Sequence, residues 1–224
     1  MVKLGPFEFI TGSGHIVTES RDVRDFDSII LTGSGSIVIA QTGEESLTIE
    51  ADDNILPLLT SEVHDRRLEL GVRHGANVTM RGPIRYHITV RDLRGLTITG
   101  SGKVEASSLT TDELSLTISG SGDMRLSSLT ADALSLTISG SGDVSLSGQA
   151  ARQEIHISGS GSYHAADLAS DRVRVRVSGS GNATLNARET LDARISGVGS
   201  IRYAGQPAIT KSISGAGSIR PLNS

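Results

Sequence analysis

The chain has no cysteine and no tryptophan, and only 3% of its 224 residues are aromatic. Without cysteine there are no disulfide staples and no thiolate metal ligands, and the redox compartment stays open. Three phenylalanines and three tyrosines make no stacking platform for single-stranded nucleic acid. The same scarcity weakens sugar binding by ring stacking, to which Tyr86, Tyr163 and Tyr203 could each contribute only singly. A formal net charge of −4 gives no global basic field to attract nucleic acid or anionic lipid. Nucleic acid is therefore not an expected partner. No apolar run spans a bilayer as a helix, and the opening residues 1–8 lack the apolar core of an export signal. Two readings follow: a cytoplasmic protein, or a mature form whose export signal or lipoprotein anchor is missing.

Glycine is plentiful, at 26 residues, and its placement organises the chain. Residues 112–131, DELSLTISGSGDMRLSSLTA, are nearly copied 20 positions later by DALSLTISGSGDVSL. The triplet Gly-Ser-Gly begins at Gly12, Gly33, Gly100, Gly120, Gly140, Gly159 and Gly179, with variants at Gly197 (Gly-Val-Gly) and Gly215 (Gly-Ala-Gly). From Gly100 the intervals are 20, 20, 19, 20, 18 and 18 residues. Two positions before each triplet stands an aliphatic residue: Ile10, Leu31, Ile98, Ile118, Ile138, Ile157, Val177, Ile195 and Ile213. Four positions after each first glycine come Ile16, Ile37, Val104, Met124, Val144, Tyr163, Ala183, Ile201 and Ile219. Alternation on either side of the triplet means strands with one buried face. Glycines flanking a serine mean a corner, expected here to need backbone angles that side chains oppose. A fixed period means stacked copies, because one copy cannot bury its apolar face alone.

The expected fold is all-β: a single-stranded, right-handed parallel β-helix with coils of about 18–20 residues. Residues 1–224 read as a single domain. Residues 5–95 form less regular coils, with an insertion at 43–95, and residues 96–220 form the regular array. Leu116, Leu136, Ile155 and Val175 should stack, as should Ile118, Ile138, Ile157 and Val177. Arg172, Arg174 and Arg176 should point outward. Asp52, Asp53 and Asn54 ahead of Ile55-Leu56-Pro57 allow one short helical turn. The final coil shows no obvious polar cap, so a homo-oligomer through the β-helix ends is a possible assembly.

These corners, with Arg21–Phe26 leading into Gly33-Ser34-Gly35-Ser36-Ile37-Val38-Ile39 and the segment Ser46–Pro57, resemble the autotransporter adhesin, head GIN domain family. The resemblance spans about residues 12–220, and its motifs are structural. It implies a β-helix shaped like pectin lyases without their catalytic residues. It also implies an exported setting, in the periplasm, at the outer membrane or on the cell surface, and a role in adhesion. Val198 and Ala216 depart from the family's corners.

Asp123 and Asp143 stand one coil apart just after their corners, with Arg125 beside them, and are the best carboxylate pair for a polysaccharide lyase or a calcium ion. Equivalent positions hold Lys103, Ser162, Asn182, Ser200 and Ser218, so the pair has no extended ladder. The preferred reading is that Asp and Asn at turn exits bond the local backbone. Asp112 and Asp132 stack at the opposite turn. Of the six histidines, only His156 and His164 flank one corner. No nucleophile elbow or phosphate loop is present. Seven arginines between His64 and Arg94 read as a solvated face with local pairing, or else as a patch for acidic glycans. Corners this short leave residues 51–95 as the expected source of any cleft. The expectation is a non-enzymatic envelope or surface solenoid, structural or adhesive, with no catalytic, cofactor or metal residues and an unidentified protein or envelope glycan as partner. The rival is a polysaccharide-active enzyme on the same scaffold.

Overall fold

The computed structural model describes residues 2–4 and 7–222. It is all-β, about 66% strand, with stacked parallel coils forming a β-solenoid of about six turns. Each coil has an approach wall leading into the glycine corner, an exit wall leaving it, and a short third side. Along the approach wall, Ser28–Leu31, Gly95–Ile98 and the second halves of the strands from Leu109–Ile118 to Asn182–Ile195 pair in parallel, ending at Ala208–Ile213. Along the exit wall, Ser36–Gln41 and Lys103–Ala106 begin a parallel series that closes on Ser218–Pro221.

The sequence columns are columns in space. Leu31, Ile98, Ile118, Ile138, Ile157, Val177, Ile195 and Ile213 occupy successive register positions, as do Ile37, Val104, Met124, Val144, Tyr163, Ala183, Ile201 and Ile219. All but Ile213 are buried, and burying one such aliphatic side chain is worth about 1.5–3 kcal/mol. The bulkiest member, Tyr163, stacks directly on the smallest, Ala183, which makes room for the ring. Its hydroxyl donates to Gln153 Oε1 at 2.6 Å, and Gln153 Nε2 donates to Ser170 Oγ at 2.6 Å. Those three polar groups are buried in an aliphatic interior, where each would be costly without its partner. Burial pushes the Tyr163 phenol well above its ordinary value, and that of Tyr86 up to about 12.

Glycine is required at the corners for a different reason from the one the sequence suggests. None of the corner glycines from Gly100 to Gly217 has a positive φ; only Gly14, Gly33 and Gly35 do. What excludes a side chain is the coil below. A Cβ on Gly140 would lie 1.8 Å from the carbonyl oxygen of Gly120, and one on Gly120 2.1 Å from that of Gly100. The backbones approach this closely because the hydrogen-bond ladder continues through the corner. Ser121 N donates to Gly100 O and Ser141 N to Gly120 O, both at 3.0 Å. Ser180 N and Val198 N repeat the bond at 3.1 and 3.0 Å. The middle residue points outward, so Val198 is tolerated there at 66% exposure.

The base does not follow chain order. Arg67–Val72 and Arg85–Val90 lie beneath the Gly33 coil, which itself pairs directly with the Gly100 coil. Residues 43–95 therefore fold under the first coil and start the stack. Antiparallel strands close it: Ser46–Asp52 against Arg85–Val90 and Ile16–Arg21, and Leu59–His64 against Arg67–Val72. The Gly12 corner stands outside the glycine ladder. It wraps the buried carboxylate of Asp52, which accepts from Gly14 N at 2.6 Å and Gly82 N at 3.2 Å. Asp53 and Asn54 hold Ser13 in the same loop. The short helical turn is a 3₁₀ turn at Leu56–Leu58, without a side-chain cap.

Polar residues stand in apolar columns at both ends, while Ile213 is left 43% exposed on the last coil. Glu19 and Arg21 take the inward positions above Ile49 and Leu47 and pair with each other. Lys211 succeeds Ala193 in the last approach strand, and Pro221 sits in the last exit strand. Lysine and proline on an edge discourage further strand addition.

The ladder predicts that Gly140→Ala destabilises the protein by about 1–3 kcal/mol or more, while Ser141→Ala is near neutral. Urea denaturation of the two variants checks this, and equal midpoints would contradict it.

Candidate functional site

A groove of about 790 Å³ runs along the axis, across the strands, on the array itself. It forms where the third side bends into the approach wall. Strand pairing skips Asp112 and Asp132 there and resumes at Glu113 and Ala133. Of residues 51–95, the expected source of any cleft, only Arg94 lines the groove, and the rest comes from the array. No long loop is needed, because the bend is concave in every coil and stacking extends it into a trough.

Three columns make the groove. Its floor is Leu114, Leu134, Gln153, Val173 and Leu191, each turned inward and no more than 3% exposed. One rim carries Arg152 and Arg172, the other Glu154, Arg174 and Asp192. Arg174 lies between Glu154 at 3.9 Å and Asp192 at 3.6 Å, and Arg172 reaches Glu189 at 3.7 Å. Arg172, Arg174 and Arg176 do point outward. The sequence signal for this site was present only across coils: once the repeats are aligned, Arg152 lies over Arg172 and Glu154 over Arg174.

Asp123, Asp143, Arg125 and His164 share a shallow depression of about 340 Å³ on the exit wall. The carboxylates there already have partners. Asp123 Oδ1 accepts from Asp143 N at 3.2 Å, and Asp143 Oδ1 from Ser162 N at 2.9 Å. Asn182 Oδ1 does the same for Ser200 N at 3.2 Å. These residues bond backbone as expected, but that of the next coil rather than their own turn. An amide serves this purpose as well as a carboxylate.

His156 and His164 fall on opposite sides of the Gly159 corner, one on the approach wall and one on the exit wall. Among the described residues no three His, Cys, Asp or Glu are grouped to hold a metal ion. Of the arginines from His64 to Arg94, Arg94 lines the groove and several of the others are locally paired. Arg66 pairs with Asp27 and Arg85 with Glu50, at 2.9 and 2.8 Å, and Arg91 with Glu45 at 3.8 Å. The hydrogen bond to Asp27 raises the Arg66 pKa further, and that to Glu62 raises the His64 pKa. Tyr86 and Tyr163 are core residues, which removes them as stacking surfaces. No helix among the described residues is long and apolar enough to cross a membrane.

Residues 25–207 match the model of the family described as "Putative auto-transporter adhesin, head GIN domain". The chain belongs to that family. A Bacteroides fragilis protein described as a "putative adhesin" is similar over 95% of this chain and 100% of its own, with 33% identity and a TM-score of 0.90. Two Parabacteroides distasonis structures each cover 96% of this chain and 100% of their own. One, described as a "putative lipid binding protein", has 25% identity and a TM-score of 0.80. The other, described as a "putative adhesin", has 26% and 0.78. No curated protein matches the sequence.

If Asp143 acts as a backbone acceptor, Asp143→Asn should leave stability unchanged and Asp143→Ala should lower it by about 0.5–1 kcal/mol. Millimolar calcium should not shift the wild-type melting temperature. A calcium-dependent rise that both variants abolish would contradict this assignment.

Proposed function

We propose that this head GIN domain protein is a non-enzymatic, exported solenoid of the periplasm, outer membrane or cell surface, with a structural or adhesive role exerted through its walls. The reading takes residues 1–224 as one domain, with residues up to 95 as its base. One observation carries it: the carboxylates best placed for chemistry by their position in the repeat, Asp123 and Asp143, accept backbone N–H groups of the coil above. Residues committed to holding coils together are poorly placed to bind a metal or move a proton. Family membership supports the adhesive side of the reading, and a neighbour described as a "putative adhesin" agrees with it.

The partner is taken to be an envelope glycan or another protein. Assembly through the ends is disfavoured by Lys211, Pro221 and the Glu19–Arg21 pair, which occupy strand-edge and column positions where a second copy would have to add. The rival, a polysaccharide-active enzyme, has its best carboxylates in Glu154 and Asp192. Both face the Arg174 guanidinium, at 3.9 and 3.6 Å, so their oxygens are already engaged.

A glycan-array and polyuronate-turnover screen with the purified chain, with and without calcium, separates the two classes. Binding of a glycan or a protein without product release is expected. Product release that Glu154→Gln or Asp192→Asn abolishes would overturn the non-enzymatic reading.

A further inference from the structure

Charge is unevenly distributed along the solenoid. Residues 1–149 carry 12 Lys and Arg against 20 Asp and Glu, a net −8, whereas residues 150–224 carry 9 against 5, a net +4. From residue 95 onward the coils stack in chain order, so this is an axial polarity with a basic C-terminal part. On the approach wall it becomes a grid. Arg152, Glu154 and His156 lie on one strand, Arg172, Arg174 and Arg176 on the next, and Asp192 and Arg194 on the one after. Neighbouring members are about 4.8 Å apart between strands and about 6.6 Å along them. In the preceding coils the Arg152 position holds Ala133 and Glu113, and the other two positions hold Ser135, Thr137, Ser115 and Thr117, so the guanidiniums are confined to the C-terminal coils of the grid.

The arginines of the grid are available. Among the described residues neither Arg152 nor Arg176 forms an ion pair. Those that do have partners 3.1–3.9 Å away, of which Glu154 and Glu189 are exposed and Asp192 half-buried, and the pairs with exposed partners are weak enough to be exchanged for a ligand's anion. The groove beside them crosses seven strands from Arg94 to Ile209, a length of about 29 Å at strand spacing. It suits one extended chain. An acyl chain would lie against the charged rim of Arg152, Glu154, Arg172, Arg174 and Asp192, which it cannot pair. Nucleic acid would find no aromatic residue along it on which to stack.

We infer that the C-terminal half of this groove, with Arg152, Arg172, Arg174 and Arg176, binds a linear polyanionic glycan that carries a carboxylate or sulfate on successive sugars. This rests on the reading of the protein as a binding solenoid and names its ligand class. Guanidinium forks take such anions two oxygens at a time. A row repeating at the strand spacing meets a row of anions repeating along a polymer, so affinity should grow with chain length.

The test is fluorescence anisotropy with labelled polygalacturonate and labelled heparin at low salt, alongside neutral dextran, single-stranded DNA and anionic vesicles. One or both polyanionic glycans should bind. The paired substitutions Arg152→Ala with Arg176→Ala, or Arg172→Ala with Arg174→Ala, should each weaken binding by about tenfold or more, whereas Arg66→Ala with Arg85→Ala on the base should not. Glu154→Gln, which frees Arg174, should strengthen it about twofold to threefold, a gain that misfolding cannot produce. The inference is overturned if neither polymer binds, if the base variant loses as much as the wall variants, or if DNA or vesicles bind more tightly than the glycans. Binding of a neutral glycan or a protein on the array would then leave the adhesive reading standing, while polymer cleavage would remove both.

Discussion

Everything in this fold depends on how closely one backbone can lie on another at the glycine corner. With no Cβ at Gly120 or Gly140, the carbonyl of one corner accepts from the serine N–H of the next, and the strand ladder turns the edge without a break. That contact keeps each coil in phase with its neighbour. Phase in turn stacks Ile118 on Ile138 on Ile157, so a thin chain with 37% apolar residues still buries a continuous core. A bulge of one residue at each corner would face every second column the wrong way. The bulges lie instead at the far side of the coil, between Leu126 and Leu129 and between Ala165 and Ala169, where coil length varies without disturbing the walls.

The same phase makes the outer surface. Residues twenty apart in sequence become neighbours at strand spacing, so a binding surface can be built from single residues on successive coils with no loop. The groove arises this way, from a bend that each coil contributes. Its outward residues past residue 150 include Arg152, Arg172 and Arg174, where the two coils before hold Glu113, Ser115, Ala133 and Ser135. The ends are governed by the opposite need. An unbroken ladder would invite more strands, and Lys211, Pro221 and the Glu19–Arg21 pair interrupt the pattern where the stack stops.

The fold was legible because its determinant is local and repeated. The aliphatic columns, the corner, the outward arginines and the parallel stacking all follow from residues read at a fixed interval. Three things were not. The role of glycine was misread, since close approach of a neighbouring coil leaves the same residue in the sequence as a positive φ does. The base escaped because Arg67–Val72 and Arg85–Val90 pair below a coil that precedes them, and periodicity carries no information about insertions that fold backward. The groove escaped because concavity belongs to the shape of the coil and not to any residue. Gln153 is a related case: in sequence it is one polar residue in an apolar column, and only the positions of Tyr163 and Ser170 explain it.

Native-state hydrogen exchange measured residue by residue tests the central claim most directly. If the ladder runs through the corners, the amides of Ser121, Ser141, Ser160 and Ser180 should be protected as strongly as those in the middle of the approach wall, such as Leu116 and Leu136. Corner amides that exchange as quickly as those of exposed turns, with the walls still protected, would mean that the coils are held in phase by their side chains alone.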